Sequence, residues 1–103
     1  MNIRNVERNI VAASGLLKCL SHKGRLQVLC ALSEREMNVG SLEKITGLSQ
    51  SALSQHLALL RKKKIVKTRR EAQTIYYSLN DPDVHTVLDC LGSLYKEQVE
   101  VLA

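Results

Sequence analysis

The stretch SQSALSQHLALLRKKK, Ser49 to Lys64, decides how the chain is read. It holds good helix formers and four leucines, yet its other half is serine and glutamine, and it closes on four consecutive bases. At about 100° per residue, with Gln50 at zero, Ala52, Leu53, Leu57, Leu59 and Leu60 fall between roughly 180° and 340°. That arc faces a core. Gln50, Ser51, Ser54, Gln55, Arg61 and Lys62 fall between zero and roughly 140°, with small Ala58 among them. Glutamine can bond adenine with both of its polar atoms, serine can donate or accept at base or phosphate, and alanine admits close approach. A merely solvated face would favour Glu and Lys, which are better helix formers than Ser. His56 falls inside the apolar arc, where a packed, hydrogen-bonded histidine fits better than a base reader.

The neighbouring segments complete a recognisable order. Asn38 suits the cap of a short helix with Val39, Leu42 and Ile45 inward and Gly47 as its stop. Gly47, Leu48 and Ser49 form the turn, and Ser49 caps the next helix, giving a helix-turn-helix over about 39–63. IVKTRR (65–70) and TIYYSL (74–79) are rich in β-branched and aromatic residues. With Glu71, Ala72 and Gln73 between them, they read as a hairpin, a wing over about 65–79. Upstream, Ile3, Val6, Ile10, Ala13, Leu16, Leu17 and Leu20 recur as the apolar stripe of one helix over 3–20. Ser21 then caps a second helix, in which Cys30 sits among Leu26, Val28, Leu29, Ala31 and Leu32. Asp81-Pro82 opens a last helix, with Val84, Val87, Leu88, Leu91, Leu94 and Tyr95 at helical spacing.

The expected fold is mainly α with a small β-hairpin: four helices, the hairpin, then a fifth helix, a winged helix-turn-helix in one domain over 1–103. A chain of 103 residues could hardly bury the stripes of both its first and last helices. Pairing helices at about 3–20 and 82–100 between two subunits would cover them, and a homodimer suits a palindromic site. The alternative is that the two helices pack on each other within one subunit.

Charge agrees with a polyanionic partner. Fifteen Lys and Arg against ten Asp and Glu leave a formal charge of +5. Arg61, Lys62, Lys63, Lys64, Lys67, Arg69 and Arg70 suit phosphate contact, with Gln73 beside them on the hairpin. No apolar run approaches the ~20 residues of a membrane span, and the polar N-terminus does not read as a signal peptide, so a cytoplasmic protein without membrane contact is expected. Three widely spaced cysteines, Cys19, Cys30 and Cys90, do not form a secreted disulfide framework. His22, His56 and His85 fall on three different helices, and no carboxylate pair or phosphate loop accompanies them, so no enzyme is expected.

The segments LLKCLSHKGRLQVLCAL and VGSLEKITGLSQSALSQHLALLRKKKIVKTRREAQTIYYSL resemble the ArsR/SmtB family of bacterial winged-helix regulators, closest to its HlyU- and BigR-type branch. The likeness covers about residues 7–97. It implies a homodimeric transcriptional regulator on double-stranded DNA, with base contacts at Gln50, Ser51, Ser54 and Gln55. A regulator of this kind would block polymerase or displace a nucleoid silencing protein. The family includes metal sensors, yet the third helix carries Asn38-Val39-Gly40 where a Cys-x-Cys would be needed. Asp83-Val84-His85 reproduces half of the other metal pattern, but its remaining positions are Lys96 and Val99, with Glu97 and Glu100 each one residue off. No metal and no cofactor are expected. Redox-responsive relatives pair a cysteine at the position of Cys30 with one at the position of Lys96. Cys30 is therefore open to three readings: a single reactive thiol, a partner of Cys19 or Cys90, or an inert buried side chain. A metal-responsive repressor and a winged-helix protein-interaction module are the alternatives.

Overall fold

The computed structural model describes residues 2–96. Its elements are α1 (Ile3–Arg8), α2 (Ile10–Leu20), α3 (Lys23–Glu34), β1 (Met37–Asn38), α4 (Val39–Thr46), α5 (Gln50–Lys62), β2 (Val66–Glu71), β3 (Thr74–Leu79) and α6 (Pro82–Leu94). The strands form one antiparallel sheet in the order β1-β3-β2. This is the expected winged helix-turn-helix, with several differences of detail.

The first helix is two. Asn9 leaves helical geometry, its N–H bonds to the Val6 carbonyl, and its side chain donates to the Asn5 carbonyl at 2.8 Å. An Asx side chain that competes for backbone partners in this way interrupts a helix. The cap of α3 is His22, not Ser21: His22 Nδ1 accepts from the Gly24 N–H at 3.0 Å. Ser21 is already spent as the C-cap of α2, where its N–H and hydroxyl both turn back to the Lys18 carbonyl. The two helices abut with no loop between them. Strand β1 was not expected, because two residues carry no alternation to read; it pairs Met37 with Tyr77 and Asn38 with Tyr76. Glu71 belongs to β2, so the hairpin turn is only Ala72-Gln73, with Ala72 at φ +55° where glycine is the usual residue.

Leu29, Leu42, Leu53, Leu57, Leu60, Val28, Val66 and Val84 are the largest fully buried side chains. The core is therefore aliphatic and centred on α3, α4 and α5. One residue expected inside is not, and Cys30, open between a buried and a reactive thiol, lies outside. Ile45 is exposed, since the short helix α4 turns only Leu42 fully inward. Cys30 is exposed on the outer side of α3, opposite Val28, Leu29 and Leu32. The inert-because-buried reading of that thiol is thus corrected.

The outer helices stay uncovered within one subunit. Ile10, Leu17 and Leu94 are 56%, 61% and 67% exposed. The radius of gyration is 15.0 Å, against roughly 13 Å for a compact chain of this length. Residues 97–100 of the expected last-helix segment lie outside the described residues.

Candidate nucleic-acid interface

The helix-turn-helix is held by its caps. Asn38 Oδ1 accepts from the Ser41 N–H at 2.8 Å and starts α4. Gly47 ends it in the left-handed region at φ +71°, with its N–H on the Glu43 carbonyl. Any side chain there would be strained. Thr46 Oγ1 donates to the Leu42 carbonyl and accepts from the Leu48 N–H, which closes the turn. Ser49 Oγ then accepts from the Ala52 N–H at 3.1 Å and launches α5.

Burial along α5 follows the split in its sequence. Leu53, Leu57 and Leu60 are buried and Ala52 and Leu59 partly so. Gln50, Ser51, Ser54, Gln55 and Ala58 are all exposed. Because the inward leucines fix the rotation of α5, the polar arc is presented as one face, with its glutamines and serines in the N-terminal half. Arg61, Lys62, Lys63 and Lys64 are exposed at the other end.

Lys64 adopts φ +61°, with its N–H on Arg61 and the next N–H, of Ile65, on Leu60. Asn80 secures the same corner: its side chain donates to the Lys64 carbonyl at 3.0 Å, and its backbone N–H donates to Ile65. A lysine in this conformation is strained where glycine is not. Lys64→Gly is expected to stabilise the fold by on the order of 1 kcal/mol while weakening binding to every DNA sequence alike. Urea unfolding and DNA titration on one variant check both signs.

His56 is a packed side chain. Its ring lies 4.6 Å from that of His22, centroid to centroid, and an added Cβ at Gly24 would stand 2.8 Å from its Nε2. Gly24 is therefore the gap that lets α5 close on the start of α3. Burial, with the nearby charges of His22 and Arg25, holds the His56 imidazole below its ordinary 6.5. The unfolded chain thus binds that proton more readily. Stability from this group is complete above about pH 6.5 and is lost as pH falls through it toward the lower folded value. Thermal melts of wild type should fall on acidification across this window, and those of His56→Gln should fall less.

On the wing, Lys67 and Arg69 share the outer sheet face, and Arg70 lies on the other face opposite Ile75. Lys67, Arg70 and Gln73 are exposed. Arg69 is not a free base. Its Nε donates to both carboxylate oxygens of Glu36 at 2.9 and 3.0 Å, and its Nη1 donates to Glu71 at 2.8 Å. Its guanidinium lies 4.5 Å from the centroid of the Tyr76 ring. Arg69 holds the Glu36 carboxyl below the usual range, first by hydrogen bonding. Glu36 and His22 are not anticipated as members of this architecture, because nothing in their local spacing marks partners more than thirty residues away, and Tyr76 meets Arg69 only through the pairing of β2 with β3.

The thiols are unpaired: Cys19 is buried, and Cys30 and Cys90 are exposed. Cys30 borders a groove between α3 and α4 of about 420 Å³, with Leu26, Met37, Ile45 and Thr46. Enclosure by that groove pushes its thiol up from the ordinary 9.0 although the residue as a whole is exposed. His85 faces Asp89 at 3.6 Å, one turn along α6, and among the described residues no three His, Cys, Asp or Glu side chains gather as metal ligands. Glu97, Val99 and Glu100 lie outside the described residues. No described helix is long and apolar enough to cross a membrane.

The sequence pattern of the bacterial regulatory proteins of the arsR family matches residues 22–68. The transcriptional activator HlyU of Vibrio cholerae is 46% identical over 95 residues, spanning 92% of this chain and 88% of that protein. The crystal structure of the transcriptional regulator HlyU from Vibrio vulnificus superposes with a TM-score of 0.81 at 48% identity, covering 92% of this chain and 99% of that one. The transcriptional repressor BigR from Xylella fastidiosa superposes at 0.87 with 37% identity, over 92% and 97%. These relatives are regulators, not enzymes, and this chain belongs with them to the arsR family of bacterial regulatory proteins.

Proposed function

We propose that this transcriptional regulator acts in the cytoplasm as a homodimer that occupies a palindromic promoter site, each subunit laying α5 in a major groove and its wing along the adjacent backbone. The observation that carries the reading is the α5 face: an exposed Gln50, Ser51, Ser54 and Gln55 arc at the N-terminal half of a helix locked by buried leucines. Recognition helices present base-reading side chains from that half. Arg61, Lys62, Lys63, Lys64, Lys67 and Arg70 supply phosphate contacts around it.

The uncovered stripes on α1, α2 and α6, which a second copy would bury, support the dimer. Occupancy of the promoter, by excluding polymerase or displacing a nucleoid silencing protein, serves both signs of regulation. That suits a chain whose relatives include an activator and a repressor.

Of the two exposed thiols we assign the response to Cys30, which peroxide can reach from the α3–α4 groove. Its thiolate would attack peroxide to give sulfenic acid, with water as the reduced product. Because enclosure raises the thiol's pKa, this reaction speeds up as pH rises toward and beyond 9.0.

The test is fluorescence anisotropy on the DNA upstream of the gene, with sedimentation to fix the mass. Wild type should be a dimer that prefers this DNA to a scrambled duplex, and the pair Leu17→Glu with Leu94→Glu should be monomeric and bind weakly. Peroxide should lower the affinity of wild type and leave Cys30→Ser unchanged. Equal affinity for promoter and scrambled DNA would overturn the reading. A monomeric wild type would remove its dimer, and equal sensitivity of Cys30→Ser would remove its thiol.

A further inference from the structure

The charge pattern of the wing contains a contradiction. A surface meant for DNA should expose its bases, yet Arg69 is engaged through all three of its nitrogens by two carboxylates. Two acidic groups against one guanidinium leave this patch locally negative on a wing that is otherwise basic. The parity of the sheet shows what the arrangement joins. Asn38, Tyr76 and Arg69 are lateral neighbours on one face, across β1, β3 and β2 in turn. Glu36 immediately precedes β1, and Asn38 at the end of β1 is also the N-cap of α4.

The guanidinium therefore passes over the Tyr76 ring on the middle strand and ties the outer strand of the wing to the residue that leads into the helix-turn-helix. Bidentate contact with the planar fork of arginine, closed on one side by an aromatic ring, is directional in a way that a lysine contact is not. Met37 and Val66 anchor the sheet in the core, but β1 itself is only two residues long, and the clamp adds a side-chain tie across its outer face.

We propose that Glu36 and Arg69 are positioning residues of the DNA interface: their clamp sets the wing's angle to α4 and α5, so that Lys67, Arg70 and Gln73 meet the same duplex that α5 addresses. This rests on the reading of α5 and the wing as a DNA-binding surface. It separates Arg69 from the phosphate-contacting bases around it.

The two accounts of Glu36 give opposite signs. As an exposed acid beside DNA it repels phosphate, and its neutralisation would tighten binding. As a positioning residue it helps, and its neutralisation weakens binding.

The experiment uses a duplex selected from a random library by the wild-type protein, with a scrambled duplex as control, across a salt series. Glu36→Gln is expected to weaken binding to the selected duplex roughly three- to five-fold, the scale of one exposed ion pair. Arg69→Gln should weaken it by a similar factor, with the double variant no worse than Arg69→Gln alone. Neither should change the slope of log affinity against log salt, whereas Lys67→Gln should lower it by about one phosphate contact. Thermal melts accompany each variant, and a fall in binding that merely follows global unfolding counts against the proposal. Unchanged or tighter binding by Glu36→Gln would overturn it, as would multiplying effects or a reduced salt slope for Arg69→Gln. If wild type yields no selected duplex, or binds it no better than the scrambled one, the reading of α5 fails, and the proposal falls with it.

Discussion

Leu53→Ala lowers the free energy of unfolding by about 2–5 kcal/mol, the range for emptying a fully buried leucine site. Leu53 is fully buried on α5 and belongs to the core that also holds Leu42 and Leu57. Its neighbours are anchored by caps at both ends of the turn, so the cavity has little freedom to collapse. Against a typical total of roughly 5–15 kcal/mol, that is a large fraction of the fold's stability. Urea unfolding of wild type and variant measures it. A change below about 1 kcal/mol, on the scale of a surface substitution, would mean that α5 is not packed as described. Ser54→Ala, one residue along and exposed, should leave stability almost unchanged.

The second large effect appears in binding. Gln50→Ala combined with Ser54→Ala should cost about 1–3 kcal/mol for each good hydrogen-bonded interaction with a base that is removed. The effect should fall on the promoter site and leave scrambled DNA bound as before. Lys62→Gln should do the reverse, weakening both DNAs alike and lowering the salt slope by about one ion. Titrations of the variants at several salt concentrations separate the two behaviours. If both substitutions reduced the two DNAs equally, the polar arc of α5 would hold no base readers.

Much of the architecture was legible because its signals are local and periodic. The leucines of α5 repeat at helical spacing, Ser49 and Asn38 mark helix starts by side-chain chemistry and Gly47 a helix end by its backbone freedom, and the two runs of the wing are rich in β-branched and aromatic residues. The polar arc could be read from the same periodicity, since burying one face determines the other. What escaped the sequence depends on relations between distant segments. Glu36 finds Arg69 only once β3 lies between β1 and β2, and His22 meets His56 only because Gly24 leaves room. Cys30 illustrates the opposite failure. Its apolar neighbours in LQVLCAL suggest burial, but a helix turns about 100° per residue, and one step from Leu29 carries the thiol to the outer face.

The short joints of the molecule bear on the operator as well as on the fold. Ser21 ends one helix and His22 starts the next, three residues separate α4 from α5, and Lys64 turns α5 directly into the wing. A chain jointed this tightly has almost no slack with which one reading head could shift relative to the other. In the proposed dimer the distance between the two α5 helices is then a property of the protein, and the DNA must match it. Adding one base pair at the centre of the palindrome turns one half-site by about 34–36° relative to the other. Among the described residues, the joints from α2 to the wing leave no long loop to follow that turn, so in the proposed dimer spacing would be part of what is recognised.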